Sequence, residues 1–484
     1  MNLKLIFILL VGLLSIATYS QTPTTYGDES GTNGAGSSYF GYNAGKQATG
    51  QGATAIGAKT GQVNTGTDNT FVGREAGRDN TTGYHNSYIG SYSGAKNTIA
   101  KHNSFFGAKT GINTTGDYNT FMGSYAGSTS DNADHNVAIG LFAGNNAQGN
   151  ANVFVGNYTG QKIGAGYGNV ALGYQSGSES IGASNNVLIG MRAGRKTSGS
   201  ANVFIGSDVA MHNTSGTYNT FLGYRTGYYN TTGYRNTYLG MYAGRLNTTG
   251  GTNVAVGMYA GETAETGNTN VYLGYMAGRN AESGKLNTII GPYSGYASKG
   301  DRNVLIGYRA GYDAEGNNQL YIDNTGNGSP LIYGDFAKKQ MGVNTNVVPD
   351  GFAMAIKGKT ITEEVKVQLA TNWPDYVLTK DYDLRSLQEL KKYIETNGHL
   401  PNIPSATTVK EQNGFELGKI NIKLLEKIEE LTLYAIAQNE VSQNQNKTIT
   451  SLEVKNSLLE KQLQTQQAQI NALQKTVTTI LNKD

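Results

Sequence analysis

Asn136-Val137-Ala138-Ile139-Gly140-Leu141-Phe142-Ala143-Gly144 is one copy of the motif whose reading decides the fold. Its Asn-x-x-apolar-Gly core returns as Asn219-Thr220-Phe221-Leu222-Gly223-Tyr224-Arg225-Thr226-Gly227, and seventeen times in all, with central glycines from Gly41 and Gly57 to Gly291 and Gly307. Every interval is 16 or 17 residues, and copies end in polar turns such as Asn247-Thr248-Thr249-Gly250. A helical hairpin repeat needs about thirty residues or more, so this period selects a coil of a parallel β-solenoid. β-branched and aromatic residues before the glycine favour a strand, and the Asn, Thr and Gly between copies favour turns. The expectation is mostly β structure: a solenoid of about 17 coils, each with two short strands and two turns, stacked at ~4.8 Å into a rod of about 80 Å.

Alternation along the strand assigns its faces. The second position of the motif is Ser, Thr or Val and the fourth is always apolar, from Phe40 and Ile56 to Ile290 and Ile306, so this pair is expected to fill the coil. The third position then points outward, with Tyr39, Phe71, Tyr88, Phe105, Phe121, Phe154, Phe204, Phe221, Tyr238 and Tyr272 upon it. Three residues past the glycine stands Ala, Ser or Thr in every copy but Val209, as expected where two strands meet in a narrow coil. An outward aromatic row is too large an apolar patch for a lone soluble chain. Self-association about an axis parallel to the rod covers it, with Phe71, Phe105, Phe121, Phe154, Phe204 and Phe221 as oligomerisation residues. A monomer whose own turns cover that side is the alternative.

The Asn-(Ser/Thr/Val)-x-apolar-Gly core over residues 37–311 resembles the head repeat of YadA-like trimeric autotransporter adhesins. The resemblance implies a left-handed parallel β-roll and a homotrimer. The period is longer than that family's, and the chain shows no β-strand anchor of its kind, so a trimeric head is implied and that mode of attachment is not.

Composition narrows the chemistry. The 484 residues include 66 glycines, 32 tyrosines and no cysteine, which removes disulfides, thiolate metal sites and cysteine nucleophiles. A formal charge of +3, from 38 basic and 35 acidic residues, supplies no global field for nucleic acid. Residues 1–20, with Lys4, an apolar run from Leu5 to Leu14 and small residues at Thr18 and Ser20, read as a signal peptide cleaved after Ser20. An uncleaved signal anchor is the alternative. No later run reaches the ~18 apolar residues of a membrane span, so the expectation is an exported protein, extracellular or on the cell surface, with the periplasm left open. Residues 21–36 are expected to be an N-terminal cap or linker.

Beyond Gly311 the repeat decays. A small α+β region is expected to follow: residues 312–371 read as a β cap or connector over the open edge, and residues 372–423 as a small compact segment with a helix from Leu384 to Thr396. Residues 424–484 carry an unbroken heptad frame from Leu424 whose apolar seam includes Ile428, Leu431, Ile449, Leu452, Leu459, Leu463, Ile470, Leu473, Val477 and Ile480. That frame predicts an α-helical coiled coil whose strand number these residues leave open, with Gln438, Ser442 and Gln445 as a weak zone. One long solvated helix is the alternative. From Trp373 into the coiled coil the chain is similar to C-terminal regions of bacterial surface proteins related to the intramolecular chaperones of phage endosialidase tail fibres. The similarity implies trimer assembly. That family's self-cleavage motif, Ser-Asp-x-Arg-Leu-Lys, shares only scattered letters with Asp383-Leu384-Arg385-Ser386-Leu387.

His85, His102, His135, His212 and His399 form no metal-ligand spacing. Gly164-Ala165-Gly166-Tyr167-Gly168 lacks the Gly-Lys-Ser/Thr of a phosphate loop, and Asp79-Asn80-Thr81-Thr82-Gly83 reads as turn chemistry rather than a calcium site. No catalytic residue, cofactor or metal is expected. Tyr92, Tyr125, Tyr158, Tyr242, Tyr259 and Tyr293 line a second face, suited to trimer packing or to a host-surface glycan or protein ligand. The expected function is therefore an adhesin-like, non-enzymatic trimeric fibre. A self-cleaving tail-fibre-type protein and an ice- or surface-binding solenoid are the rivals, the last requiring an outward threonine ladder.

Overall fold

Each Asn-x-x-apolar-Gly core folds as one three-residue strand that its glycine, at φ between +113° and +142°, turns sharply out of line. The computed structural model describes residues 24–482 apart from 28–30, 32, 33, 282, 327 and 369–372, so the expected signal peptide lies outside the described residues. Two compact units divide the chain, Met1–Thr360 and Ile361–Asp484.

In the first unit, nineteen strands, β1 to β19, run from Thr24–Tyr26 through Thr70–Val72 and Val304–Ile306 to Gln319–Ile322. Each pairs in parallel with its counterpart one coil on, in register, as Thr70, Phe71 and Val72 do with Ser87, Tyr88 and Ile89. The chain is thus mostly β, a parallel β-solenoid of about 19 turns. Two coils exceed the motif count: β1 pairs Thr24–Tyr26 with Ser38–Phe40 inside the stretch expected to be cap or linker, and β19 adds a rung beyond Gly311.

The expected second strand is replaced by two consecutive turns. In the coil of Gly73, the Ala76 N–H donates to the Gly73 carbonyl at 3.2 Å and the Asn80 N–H to the Gly77 carbonyl at 3.1 Å. Glu75 and Gly77 both take left-handed backbone, φ +56° and +57°, so the segment cannot extend. It is still bonded between coils: the Glu75 N–H donates back to Ala58 at 2.9 Å and the Gly77 N–H forward to Ser93 at 2.9 Å.

Strand parity is the opposite of the expectation. The third position faces inward: Phe71, Phe105, Phe121, Phe154, Phe204 and Phe221 are at most 1% exposed and belong to one continuous interior. Their rings stack along the rod, with Phe105 and Phe121 centroids 5.0 Å apart and Phe221 and Tyr238 4.7 Å apart. Asparagine sets this parity. The first-position residues, from Asn69 to Asn303, are buried and form a ladder: the Asn119 N–H donates to Asn103 Oδ1 at 2.8 Å, and Asn103 Nδ2 donates to the Gly116 carbonyl at 3.0 Å. A side chain that satisfies buried backbone groups must lie inside. The third position shares its side of the strand, so the aromatic rings go inside with it.

Past β19 the direction reverses. β20 (Ile332–Asp335) pairs antiparallel with β19, β21 (Gln340–Val343) pairs antiparallel with β20, and β22 (Met354–Ile356) runs parallel to β21. β20 thereby occupies the last parallel edge.

The second unit is helical. A 3-10 helix, Pro374–Leu378, precedes α1 (Leu387–Asn397), α2 (Ala406–Glu411) and α3 (Leu417–Leu481). Ser386 and Glu389 form a capping box on α1, and Gly398 ends it at φ +71°. Among the described residues of 372–423 there is no strand. α3 spans 65 residues, about 97 Å at ~1.5 Å per residue, and only Gly418 and Glu426 on it are buried.

Candidate interaction surfaces

With the third position inside, the second and fourth positions form the outward face of the stacked strands. The fourth-position row is apolar throughout, and Ile56, Ile89, Met122, Leu222, Leu239 and Leu273 are exposed. An outward apolar stripe therefore exists, carried by these aliphatic residues and not by the six phenylalanines. The signal for it is the asparagine four residues before each central glycine from Gly73 to Gly307, whose side chain must reach buried backbone.

The turn after each glycine builds a second face. Its second position takes left-handed backbone in every coil and places Tyr92, Tyr125, Tyr158, Tyr242, Tyr259 and Tyr293 in one column, φ +55° to +59°. Neighbouring rings stack along it, Tyr125 on Phe142 at 4.8 Å and Tyr242 on Tyr259 at 5.1 Å. Arginines join the column: the Arg279 guanidinium lies 4.6 Å from the Tyr259 ring centroid and that of Arg225 5.1 Å from Tyr224. Two buried carboxylates are each held between two arginines from the coils on either side. Glu262 accepts from Arg245 Nε and Arg279 Nε, both at 2.8 Å. Asp208 pairs with Arg192 Nε at 2.7 Å and Arg225 Nε at 3.5 Å. Bonding to Glu262 raises the Arg279 pKa still further above neutrality.

Coil stacking also gathers histidines that sequence separates. His85 and His102 centroids stand 4.9 Å apart, His102 stacks on Tyr118 at 4.9 Å, Tyr118 on His135 at 5.0 Å, and Asp68 Oδ2 lies 3.4 Å from His85 Nε2. Among the described residues, no group of three or more His, Asp or Glu has a metal-holding arrangement. His212 packs beside Tyr228 and Tyr229, where burial and then Lys196 and Arg195 lower its pKa. Gly164 bridges to Ala147 in the preceding coil and serves the stacking.

In the second unit a polar cluster ties the small helices to the start of α3. Glu426, buried, accepts from Tyr376 Oη at 2.9 Å, Asn402 Nδ2 at 2.9 Å and Lys427 Nζ at 2.8 Å. Glu430 accepts from Tyr382 Oη at 2.6 Å and Lys427 Nζ at 2.7 Å. Ser386 is engaged as the α1 cap and the Arg385 carbonyl accepts from Tyr434 Oη at 2.5 Å. Further along α3, Ile428, Leu431, Ile449, Leu452, Leu459, Leu463, Ile470, Leu473, Val477 and Ile480 are all exposed, Leu463 at 69%. No helix among the described residues is long and apolar enough to cross a membrane.

The chain matches no protein-family model, no curated protein and no solved structure.

Proposed function

We propose that this chain is a non-enzymatic, exported fibre protein, adhesin-like or tail-fibre-like, that works as a homotrimer with a β-solenoid head and a coiled-coil stem. The observation that carries the reading is the exposed seam of α3. A 65-residue helix with apolar residues at heptad spacing leaves that seam in water when alone and buries it when partner helices share it. The apolar fourth-position row supports it from the head, since sister chains aligned side by side would shelter that row. The head repeat's likeness to YadA-like left-handed β-rolls, and the second unit's likeness to tail-fibre chaperones, favour three strands. Three copies of a weak contact site on one rigid fibre would raise effective concentration at a surface.

Mass in solution tests this. Light scattering on the exported chain should give three times the chain mass, collapsing towards one chain when Leu452, Leu459 and Leu463 are replaced by Gln. A stable species of one chain mass in the unsubstituted protein overturns it.

Strand parity favours one rival. Ser38, Thr54, Thr70, Ser87, Ser104 and Thr120 form the outward hydroxyl row that an ice- or crystal-binding face requires, although five valines, Val137 to Val203, interrupt it. Thermal hysteresis of the full chain would favour that reading, and its absence with a trimeric mass the fibre.

A further inference from the structure

The turn face between Arg192 and Arg309 is charged far out of proportion to the chain. Within one to six residues past each glycine it holds seven cations, Arg192, Arg195, Lys196, Arg225, Arg245, Arg279 and Arg309, against three carboxylates, Asp208, Glu262 and, at its C-terminal end, the exposed Asp313. Asp208 and Glu262 are withdrawn, with side chains 3% and 5% exposed, while the four arginines that flank them are 30–38% exposed. Each carboxylate thus offsets one of two guanidinium charges and fixes both partners in place. Arg195 is engaged by Glu179. Arg225 and Arg245 donate to their carboxylates through Nε, and among the described residues their Nη groups have no hydrogen-bond partner. Arg245 and Arg279 stand two coils apart, as do Arg192 and Arg225, which is about 10 Å along the rod at ~4.8 Å per coil.

The geometry points to this face as a binding site for a linear anionic polysaccharide lying along the rod. An anionic chain with a regular repeat offers charges at a fixed interval, and guanidinium edges recognise carboxylate or sulfate oxygens in a plane. Between the guanidiniums, tyrosine hydroxyls supply donors and acceptors for sugar hydroxyls. The exposed charge is predominantly positive, so encounter is steered and register is set by the arginine spacing. Single-stranded nucleic acid fits less well, because base binding needs free aromatic faces. Here Tyr242 and Tyr259 stack on each other, and Arg279 lies over Tyr259.

The proposal rests on the reading of the chain as a contact fibre for its setting, and the two fail separately. The test uses the full chain, with hyaluronan as the carboxylated probe, heparin as the sulfated one, dextran as the neutral control, and polyglutamate and a single-stranded oligonucleotide as other polyanions. Salt-sensitive binding of hyaluronan, heparin or both, and none to dextran, is expected; which of the two binds assigns carboxylate or sulfate. The double variant Lys196→Gln and Arg309→Gln leaves both buried carboxylates paired and should weaken binding about fivefold or more. Arg235→Gln with Arg302→Gln, away from this face, should leave it unchanged. Arg245→Gln, Glu262→Gln and Arg279→Gln together should weaken it further, with folding checked by circular dichroism. Equal binding of dextran, tighter binding of polyglutamate or the oligonucleotide, no binding at all, or indifference to the Lys196 and Arg309 changes overturns the proposal. Mass measured on the same sample separates the cases: a trimer without polysaccharide binding sinks this face alone, and a monomer that binds sinks the trimer alone.

Discussion

Gly77 lies against the ring of Phe71, so close that a Cβ added to it would stand 2.7 Å from Cδ1. The glycine four residues after the centre of a coil makes the room that an inward aromatic ring occupies, and its φ of +57° is one that side chains disfavour. Gly77→Ala should destabilise the surrounding coils by about 2–4 kcal/mol, combining overpacking with backbone strain. Gly182→Ala, at φ +71° with open space around it, should cost only about 1–2 kcal/mol. Denaturant midpoints compare the two, and equal losses would mean that the ring contact contributes nothing.

The asparagine ladder should be costly to interrupt. Asn103→Ala removes the acceptor of the Asn119 N–H and the donor to the Gly116 carbonyl. Each buried group left unmet costs about 1–3 kcal/mol. Hydrogen exchange should quicken first at Asn119 and its neighbours in the adjoining coils, because solenoid coils stabilise only their neighbours. Unchanged exchange at Asn119 would show that the ladder is ornamental.

Alkali should melt the head. Burial pushes the phenols of Tyr88, Tyr238 and Tyr272 well above the usual tyrosine range. Because the folded state holds these protons more tightly, their contribution is complete below the ordinary pKa of about 10 and is lost as pH rises beyond it. The triple change Tyr88→Phe, Tyr238→Phe and Tyr272→Phe should move the alkaline unfolding midpoint upward, read by circular dichroism. No movement would count against buried, protonated phenols.

Acid should loosen the helical unit. Burial raises the Glu426 pKa, yet donation from Lys427, Asn402 and Tyr376 outweighs it and leaves the carboxyl below its usual value. Its contribution is present above the ordinary carboxylate pKa and disappears as pH falls through the lowered one. Glu426→Ala should weaken the docking of Pro374–Leu378 by about 1.5–3 kcal/mol. Trp373, the single tryptophan, adjoins that helix and reports the change by fluorescence.

Much of this fold is legible in the residues because a period of 16 or 17 admits few architectures, and the heptads of α3 stand out against so glycine-rich a chain. Parity is not legible from hydropathy, since an apolar residue at Ile56 or Leu222 looks more like core than an aromatic that alternates with alanine, as Phe71 does with Ala55. The asparagine carries the decisive information, in hydrogen bonds that hydropathy does not register. The second strand failed because left-handed residues such as Glu75 and Tyr92 carry no compositional mark. The pairs around Asp208 and Glu262 join residues 16 or 17 apart and surface only once the coils are laid on one another.

The spacing of the coils holds one more consequence. Where a period is 17 and not 16, the extra residue falls in the far turn, as Asn80-Thr81-Thr82-Gly83 against Asn64-Thr65-Gly66 shows, while strand and near turn keep their length. A whole rung can therefore be duplicated or deleted in the gene without redesign of its neighbours. The length of the solenoid is thus set by the number of rungs alone, while its cross-section stays put.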